Sequence, residues 1–450
     1  MTRVADARDR YVADFEAFAG NGGGGDAPSW LRALREQAIV RFAELGFPST
    51  RQEEWRFTNV APLTQRAFAL SNGSATPGVP VGAVTPLCVA GRDAVRLVFV
   101  NGAFASGLSA VATLPQGLRV SSLRAALQAD SEPALRHLGR HAQADASPFT
   151  ALNTAFQSDG AFMHVAPGAQ LDRPIELVFV ATGHGEPAVC HPRTLVVVGR
   201  GARAAVLESY VALHDGVYWT NTVSEAVLED GARLEYYRLQ RESLDGYHTA
   251  TTHAALGRDS VLRFHPLALG GVLTRHDIQV VLGGTGGELV LNGLYLLGDR
   301  QHADHHTVID HAQPDCASHE YFNGLVADEA HGVFNGRIIV RPGAQRTDSK
   351  QTNNNLLLST AARADSQPQL EIYADYVKCT HGSTVGPLDE AALHYLRSRG
   401  LGAEAAAGLL TYGFAAEILG RMDHAPLRGA LDELIMARLA HRSAGGRKAA

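Results

Sequence analysis

Cys379 and His381 stand two residues apart in the stretch Tyr373-Ala374-Asp375-Tyr376-Val377-Lys378-Cys379-Thr380-His381-Gly382. A strand turns successive side chains to opposite faces. If this stretch is extended, Asp375, Val377, Cys379 and His381 share one face, with the thiol and imidazole carriers about 7 Å apart at their backbones. The two groups could then share one metal ion or one proton. Lys378 and a protonated His381 would favour the thiolate, the form that binds metal or attacks sulfur, and Asp375 would oppose it. A small buried cysteine that only packs is the plainer alternative. Spacing alone leaves both open.

Histidines supply a second candidate. His302, His305, His306, His311, His319 and His331 fall within thirty residues, and His302-x-x-His305-His306 invites a metal reading. On a strand, however, His302 and His306 face one way and His305 and His311 the other. One tetrahedral site recruits both sets poorly, so polar residues that satisfy one another inside a β body are the expected account. Asn353, Asn354 and Asn355 read as a turn or an amide ladder. Gly283 to Gly287 is glycine-rich, but no helix follows to complete a phosphate site. With no G-x-x-x-x-G-K-[ST] loop, the chain is not expected to bind or hydrolyse ATP by itself.

These residues need elements to position them. From about residue 160, short apolar strands recur between glycine turns: Ile175–Val180, Leu195–Val198, Leu234–Leu239, Val261–Phe264, Ile278–Leu282, Leu289–Leu296 and Val333–Val340. A Gly-Ala-x element recurs at Gly168, Gly201, Gly231 and Gly343, the first two offsets being 33 and 30. Such periods suggest stacked supersecondary units. No helical pattern separates the strands, which disfavours a crossover α/β sheet. Strands apolar throughout suit the two-sided burial of a parallel sheet. The expectation is a mainly β chain with a right-handed parallel β-helix core and irregular rungs, flanked by N-terminal and C-terminal helical regions.

Upstream, Ser29 is placed to cap a helix from Trp30 to Leu45, ended by Gly46 and Pro48, after a Gly22–Gly25 link. Residues 71–86 read as a loop. Val95–Val100 is a short strand closed by the hairpin signal Asn101-Gly102. Ser122–Leu127 and Ala134–Leu138 look helical. Downstream, Asp389 caps a helix to Arg399 that Gly400 stops; further helices are expected over Ala403–Leu419 and Pro426–Ala440. Glu417 has no evident partner and reads as a solvated residue or a contact to another protein. The divisions expected are residues 1–160, mostly helical; 161–386, the β-helix; and 387–450, a helical appendage.

The totals set limits. The 450 residues carry a net charge of −6 with no basic block, which disfavours nucleic acid as a partner. No apolar run is long enough to span a bilayer. The start, Met1 to Phe18, lacks a signal-peptide pattern. Four cysteines, Cys88, Cys190, Cys316 and Cys379, lie far apart without a C-x-x-C pair, which argues against a disulfide scaffold and suggests a cytoplasmic, reducing setting.

The stretch from Glu371 to Gly386, with Leu388-Asp389-Glu390 and Tyr395-Leu396-Arg397-Ser398-Arg399-Gly400, resembles the signature of the SufB/SufD family, in the Val-Lys-Cys-x-His-Gly form of its SufD branch. Gln301-His302-Ala303-Asp304-His305-His306-Thr307, Val333-Phe334-Asn335-Gly336 and Gln351-Thr352-Asn353-Asn354-Asn355-Leu356-Leu357-Leu358 match as well. So do Glu54-Trp55-Arg56-Phe57-Thr58 and Asn153-Thr154-Ala155-Phe156. Matches span about residues 50 to 420.

The resemblance implies a non-catalytic scaffold in iron–sulfur cluster assembly, linked to iron acquisition for the nascent cluster. It implies pairing with SufB through the β-helix and docking of the ABC-type ATPase SufC on the C-terminal helices. For SufC docking it points to Asp389, Tyr395, Arg397, Arg399, Phe414 and Glu417. It makes His381 the first candidate, and Cys379 the second, for a ligand of iron or a transient iron–sulfur cluster at the partner interface. Tyr376 departs from the pattern, which leads one to expect an acidic residue there. The chain also lacks a Cys-rich N-terminal motif of the SufB kind. A sheet edge used for SufB could also accept a second copy, giving a homodimer of the isolated chain, and the sequence leaves this open. The rivals are a β-helix enzyme acting on polysaccharide and a stand-alone metal-dependent enzyme built on the His302–His331 cluster. The first calls for a secretory signal and paired carboxylates in a groove.

Overall fold

The computed structural model describes residues 2–20, 27–71, 79–91 and 93–443; the Gly22–Gly25 link lies outside them. From Gly160 onward the chain winds as a parallel β-solenoid with two long sheets. It alternates between them strand by strand, from Arg203–Ala212 and Trp219–Leu228 to Arg363–Ile372 and Lys378–Gly386. Every strand pair along this stack is parallel and in register. Register partners on successive turns lie 26 to 33 residues apart, the extremes being Tyr247 opposite Leu273 and Gly160 opposite Arg193.

One corner repeats. The residue two positions before each of six successive strands of one sheet takes positive φ: Gly201, Gly231, Asp259, Gly286, Asp315 and Arg346. A chain that must turn there needs the left-handed region, which glycine adopts freely and aspartate tolerates better than most. The next residue is small and buried, as at Ala202, Ala232 and Cys316, and fills the inside of the corner. Tyr376 holds the equivalent place before the last strand, without positive φ.

The two ends of the solenoid differ. At the beginning, both sheets finish in antiparallel pairs: Ala103–Phe104 on Val95–Val100, and Leu118–Ser122 on Gly160–Val165. At the other end, Arg363–Ile372 and Lys378–Gly386 are each paired on one side only among the described residues.

Helices cover the outer faces. Tyr11, Phe42, Phe47, Trp55, Phe149 and Phe156 pack the N-terminal helices against Trp219 and Tyr247 of one sheet. Ala415, Ile418, Leu427, Leu431 and Ile435 pack the C-terminal helices against Leu239, Leu267, Leu294 and Leu325 of the other.

The expected solenoid strands are all present, each lengthened, as Leu195–Val198 becomes Arg193–Val198, and Val95–Val100 forms with the expected bounds. Asn101 and Gly102 turn the hairpin with φ of 48° and 86°. The helices Ala403–Leu419 and Ala425–Ser443 form, and Asp389 Oδ1 accepts from the amides of Ala391 and Ala392. Three expectations are corrected. Ser29 is the first helical residue of Ser29–Leu45 rather than its cap, Pro28 holding that place without a side-chain bond. Part of the 71–86 loop is helical, at Val81–Val84 and Thr85–Leu87, while 72–78 lie outside the described residues. The third concerns the start of the region expected to be mostly helical: no helix was placed over Thr2–Gly20, which forms one.

Candidate functional site

The strand Lys378–Gly386 is the last rung of its sheet. Cys379 lies opposite Ser349 and His381 opposite Gln351 on the neighbouring strand Asp348–Leu357. Ser349, Gln351, Asn353 and Asn355 are all buried, so that alternation fixes which face looks inward. Cys379 and His381 share this inner face at the open end. Cys379 is half-buried against the solenoid core, and His381 is exposed. The expected pairing of thiol and imidazole on one face therefore holds.

Asp375 does not join them. It falls in the bend before the strand, so that strict alternation begins only at Lys378. The electrostatic expectation also fails. Burial pushes the Cys379 thiol pKa up, and Asp348 pushes it the same way. In the chain alone Cys379 is held as the thiol rather than the thiolate. Around the rung, Ile372, Tyr373, Tyr376 and Val385 are exposed, Tyr376 most of all at 78%. Large apolar groups beside an unpaired sheet edge mark a surface suited to a partner.

Beneath the rung the interior is polar. Gln351 Nε2 donates to Glu320 Oε2 at 2.6 Å, and both side chains are buried. Burial pushes the Glu320 carboxyl up to about 7, the Gln351 bond opposing it. Asn355 Nδ2 donates to Asn353 Oδ1 at 2.8 Å on the inner face, and Asn355 also bonds Tyr295; Asn354, on the other face, donates to Asn323 of the neighbouring strand, so that the three asparagines lie in a strand, not a turn.

The histidines divide as alternation requires. His305 and His311 point inward and are buried, with His311 Nε2 2.8 Å from Ser318 Oγ. Burial pulls both down to about 4. His302, Asp304 and His306 face outward and hold the N-terminal region. His302 Nε2 lies 2.8 Å from Thr58 Oγ1, which also bonds Asp304; Arg275 pairs with Asp304 at 2.7 Å and stacks on Trp55 at 3.8 Å. Burial works to raise Asp304, but Arg275 and His306 hold its carboxyl well below the usual range. Among the described residues, no group of three or more His, Cys, Asp or Glu side chains is gathered to hold a metal ion.

On the C-terminal helices, Tyr395, Arg397 and Arg399 are exposed, with the Arg399 guanidinium 5.2 Å from the Tyr395 ring. Asp389 is engaged as the helix cap. Phe414 packs toward the solenoid, and its carbonyl accepts from Asn323 Nδ2 at 3.0 Å. Glu417, read as unpartnered, pairs with Arg421 at 3.1 Å. The residues missed are Glu320 and Gln351. Gln351 stood in a quoted motif, but only strand register shows that it lies under His381.

Comparison with known proteins agrees with this geometry. Residues 179–414 match the SUF system FeS cluster assembly, SufBD core domain, and residues 24–177 match the SufBD protein N-terminal region. The chain is 33% identical over 433 residues to an iron–sulfur cluster assembly SufBD family protein of Synechocystis, covering 91% of this chain and 95% of that one. It is 30% identical over 413 residues to the iron–sulfur cluster assembly protein SufD of Escherichia coli, covering 91% and 93%. With the SufD protein of Bacillus subtilis the identity is 26% over 422 residues, covering 91% and 93%.

Proposed function

The chain belongs to the SufBD family of the SUF iron–sulfur cluster assembly system, and from that premise we propose that it is a non-catalytic scaffold subunit contributing half of a cluster-building site. The observation that carries this is the open rung: Cys379 and His381 share its inner face, exposed apolar residues surround it, and both sheet edges at that end are unpaired among the described residues. A related SufB solenoid is the partner for those edges. Backbone groups on an unpaired edge recruit another strand, and the side chains beside it set which one.

The iron or nascent cluster is cargo, held briefly between the two chains. Imidazole and thiolate both ligate iron in iron–sulfur centres. His381 is the first ligand because it is exposed. Cys379 is the second, because its thiol needs a cation or metal beside it before it ionises. The SufC ATPase docks on the C-terminal helices at Tyr395, Arg397 and Arg399, with Asp389 shaping the helix start and Phe414 and Glu417 fixing the underlying helix to the solenoid. The nucleotide belongs to that partner.

The experiment is co-purification with SufB and SufC, followed by anaerobic iron and sulfide analysis of wild-type and His381→Ala complexes. Loss of cluster from an intact complex is expected. An intact His381→Ala complex with full cluster content removes the ligand role, and failure to co-purify removes the scaffold reading. Self-association of the isolated chain through the same edge is measured by its mass in solution.

A further inference from the structure

We propose that Glu320 and Gln351 form a positioning relay that orients the His381 imidazole; this rests on the reading of His381 as a cargo ligand. The three residues occupy one inward column, Glu320 opposite Gln351 and Gln351 opposite His381 on successive parallel strands. Such partners stack about 4.8 Å apart at their backbones, so the amide and the imidazole are carried at neighbouring positions of one column.

The amide is already oriented from below. Its Nε2 donates to Glu320 Oε2 at 2.6 Å, which leaves Oε1 as the free end. Gln351 is only 1% exposed, and its Oε1 has no partner among the described residues. The space is built for this side chain. Gly336 stands opposite, and a Cβ there would lie 2.1 Å from Gln351 Nε2. A buried acceptor left unbonded is costly, and the next residue of the column carries a ring N–H to give. A turn of the exposed His381 ring toward Oε1 makes that bond, which then fixes one imidazole tautomer and leaves the other ring nitrogen's lone pair free for a metal. Glu320 touches no cargo; it acts by holding the amide.

Nitrogen NMR of the full chain with isotopically labelled histidine tests this, the His381 signals being assigned by their loss in His381→Ala. Wild type is expected to show one dominant His381 tautomer near neutral pH. Gln351→Leu is expected to move it to the mixture of a free imidazole, and Glu320→Leu to do the same by releasing the amide. Glu320→Gln keeps an acceptor for Nε2 and should preserve the wild-type signal, which covers the case in which Gln351→Leu fails to fold. A mixed tautomer in wild type, or a wild-type signal in folded Gln351→Leu or Glu320→Leu, overturns the relay.

Cluster content of the purified complex gives the second readout, with a several-fold fall in Gln351→Leu and little change in Glu320→Gln. The two readings fail separately. Full cluster content in His381→Ala defeats the ligand role whatever the tautomer. Cluster loss in His381→Ala beside an unmoved tautomer in Gln351→Leu defeats the relay alone.

Discussion

Arg193 and Glu225 form an ion pair at 2.8 Å with neither side chain exposed. The pair fastens the N-terminal region to the solenoid. Glu225 also accepts from the amides of Gly139, His141 and Ala142, and Arg193 donates to Asn153 and Thr154. Burial works to raise the Glu225 pKa, but Arg193 and those amides outweigh it and hold the carboxyl below its ordinary range. Removing one partner leaves the other charge buried and alone. Glu225→Ala should therefore destabilise the fold by about 3–5 kcal/mol, read by denaturant unfolding. A loss no larger than that of an exposed substitution would contradict this.

Glu320 makes stability depend on pH. Its folded pKa, about 7, lies above the ordinary 4.5. The folded chain thus keeps a proton that the unfolded chain gives up. Its contribution to stability falls as pH rises from about 4.5 to about 7 and stays low above that. Glu320→Gln should remove this fall. Relative to wild type it should gain on the order of 1–3 kcal/mol between mildly acidic and mildly alkaline pH. The comparison must be made as a difference, because buried histidines such as His305 and His311, pulled down to about 4, act in the opposite direction. Parallel pH profiles for the two proteins would refute the assignment.

Tyr376 and Val385 are exposed beside the open rung. A carboxylate at either place puts a charge where a partner would otherwise remove apolar surface from water. Tyr376→Asp and Val385→Asp should each weaken association with the partner solenoid by about 1–3 kcal/mol. The unfolding free energy of the isolated chain should stay within about 0.5 kcal/mol. Sedimentation of mixed chains and thermal unfolding measure the two effects.

Cys379 should be a slow nucleophile in the isolated chain. Burial and Asp348 raise its pKa, so less thiolate is present at neutral pH than for a free cysteine. Each pKa unit lowers the thiolate fraction about tenfold. Alkylation by iodoacetamide, followed at this residue by mass spectrometry, should run several-fold slower than for a free thiol and accelerate in alkali. A rate above that of a free thiol would contradict the upward shift that burial and Asp348 impose.

The strands legible in the sequence were those buried on both faces by apolar residues, such as Ile175–Ala181. Asp348–Leu357 and Arg363–Ile372 were not, because their inward residues include Ser349, Gln351, Asn353 and Ser366, and polarity no longer separates inside from outside. The Gly-Ala repeat faded for a similar reason. Asp259, Asp315 and Arg346 take the corner conformation that glycine holds at Gly201 and Gly231, so that one geometry carries several spellings. At the site, strand periodicity correctly put Cys379 and His381 on one face. It failed at Asp375 because a corner intervenes, and corners interrupt the period of two. Glu320 and Gln351 lie 31 residues apart, so that only the stacking of whole turns brings them together.

The unlike ends of the solenoid limit how large an assembly can grow. A parallel stack with two open ends could add copies end to end and become a filament, since each addition would regenerate the edge it consumed. Here the first end finishes instead in the short antiparallel strands Ala103–Phe104 and Leu118–Ser122, while the end bearing His381 keeps parallel ones. Two copies meeting by that second end would form an isologous contact, in which each edge consumes the other and the assembly closes at two chains.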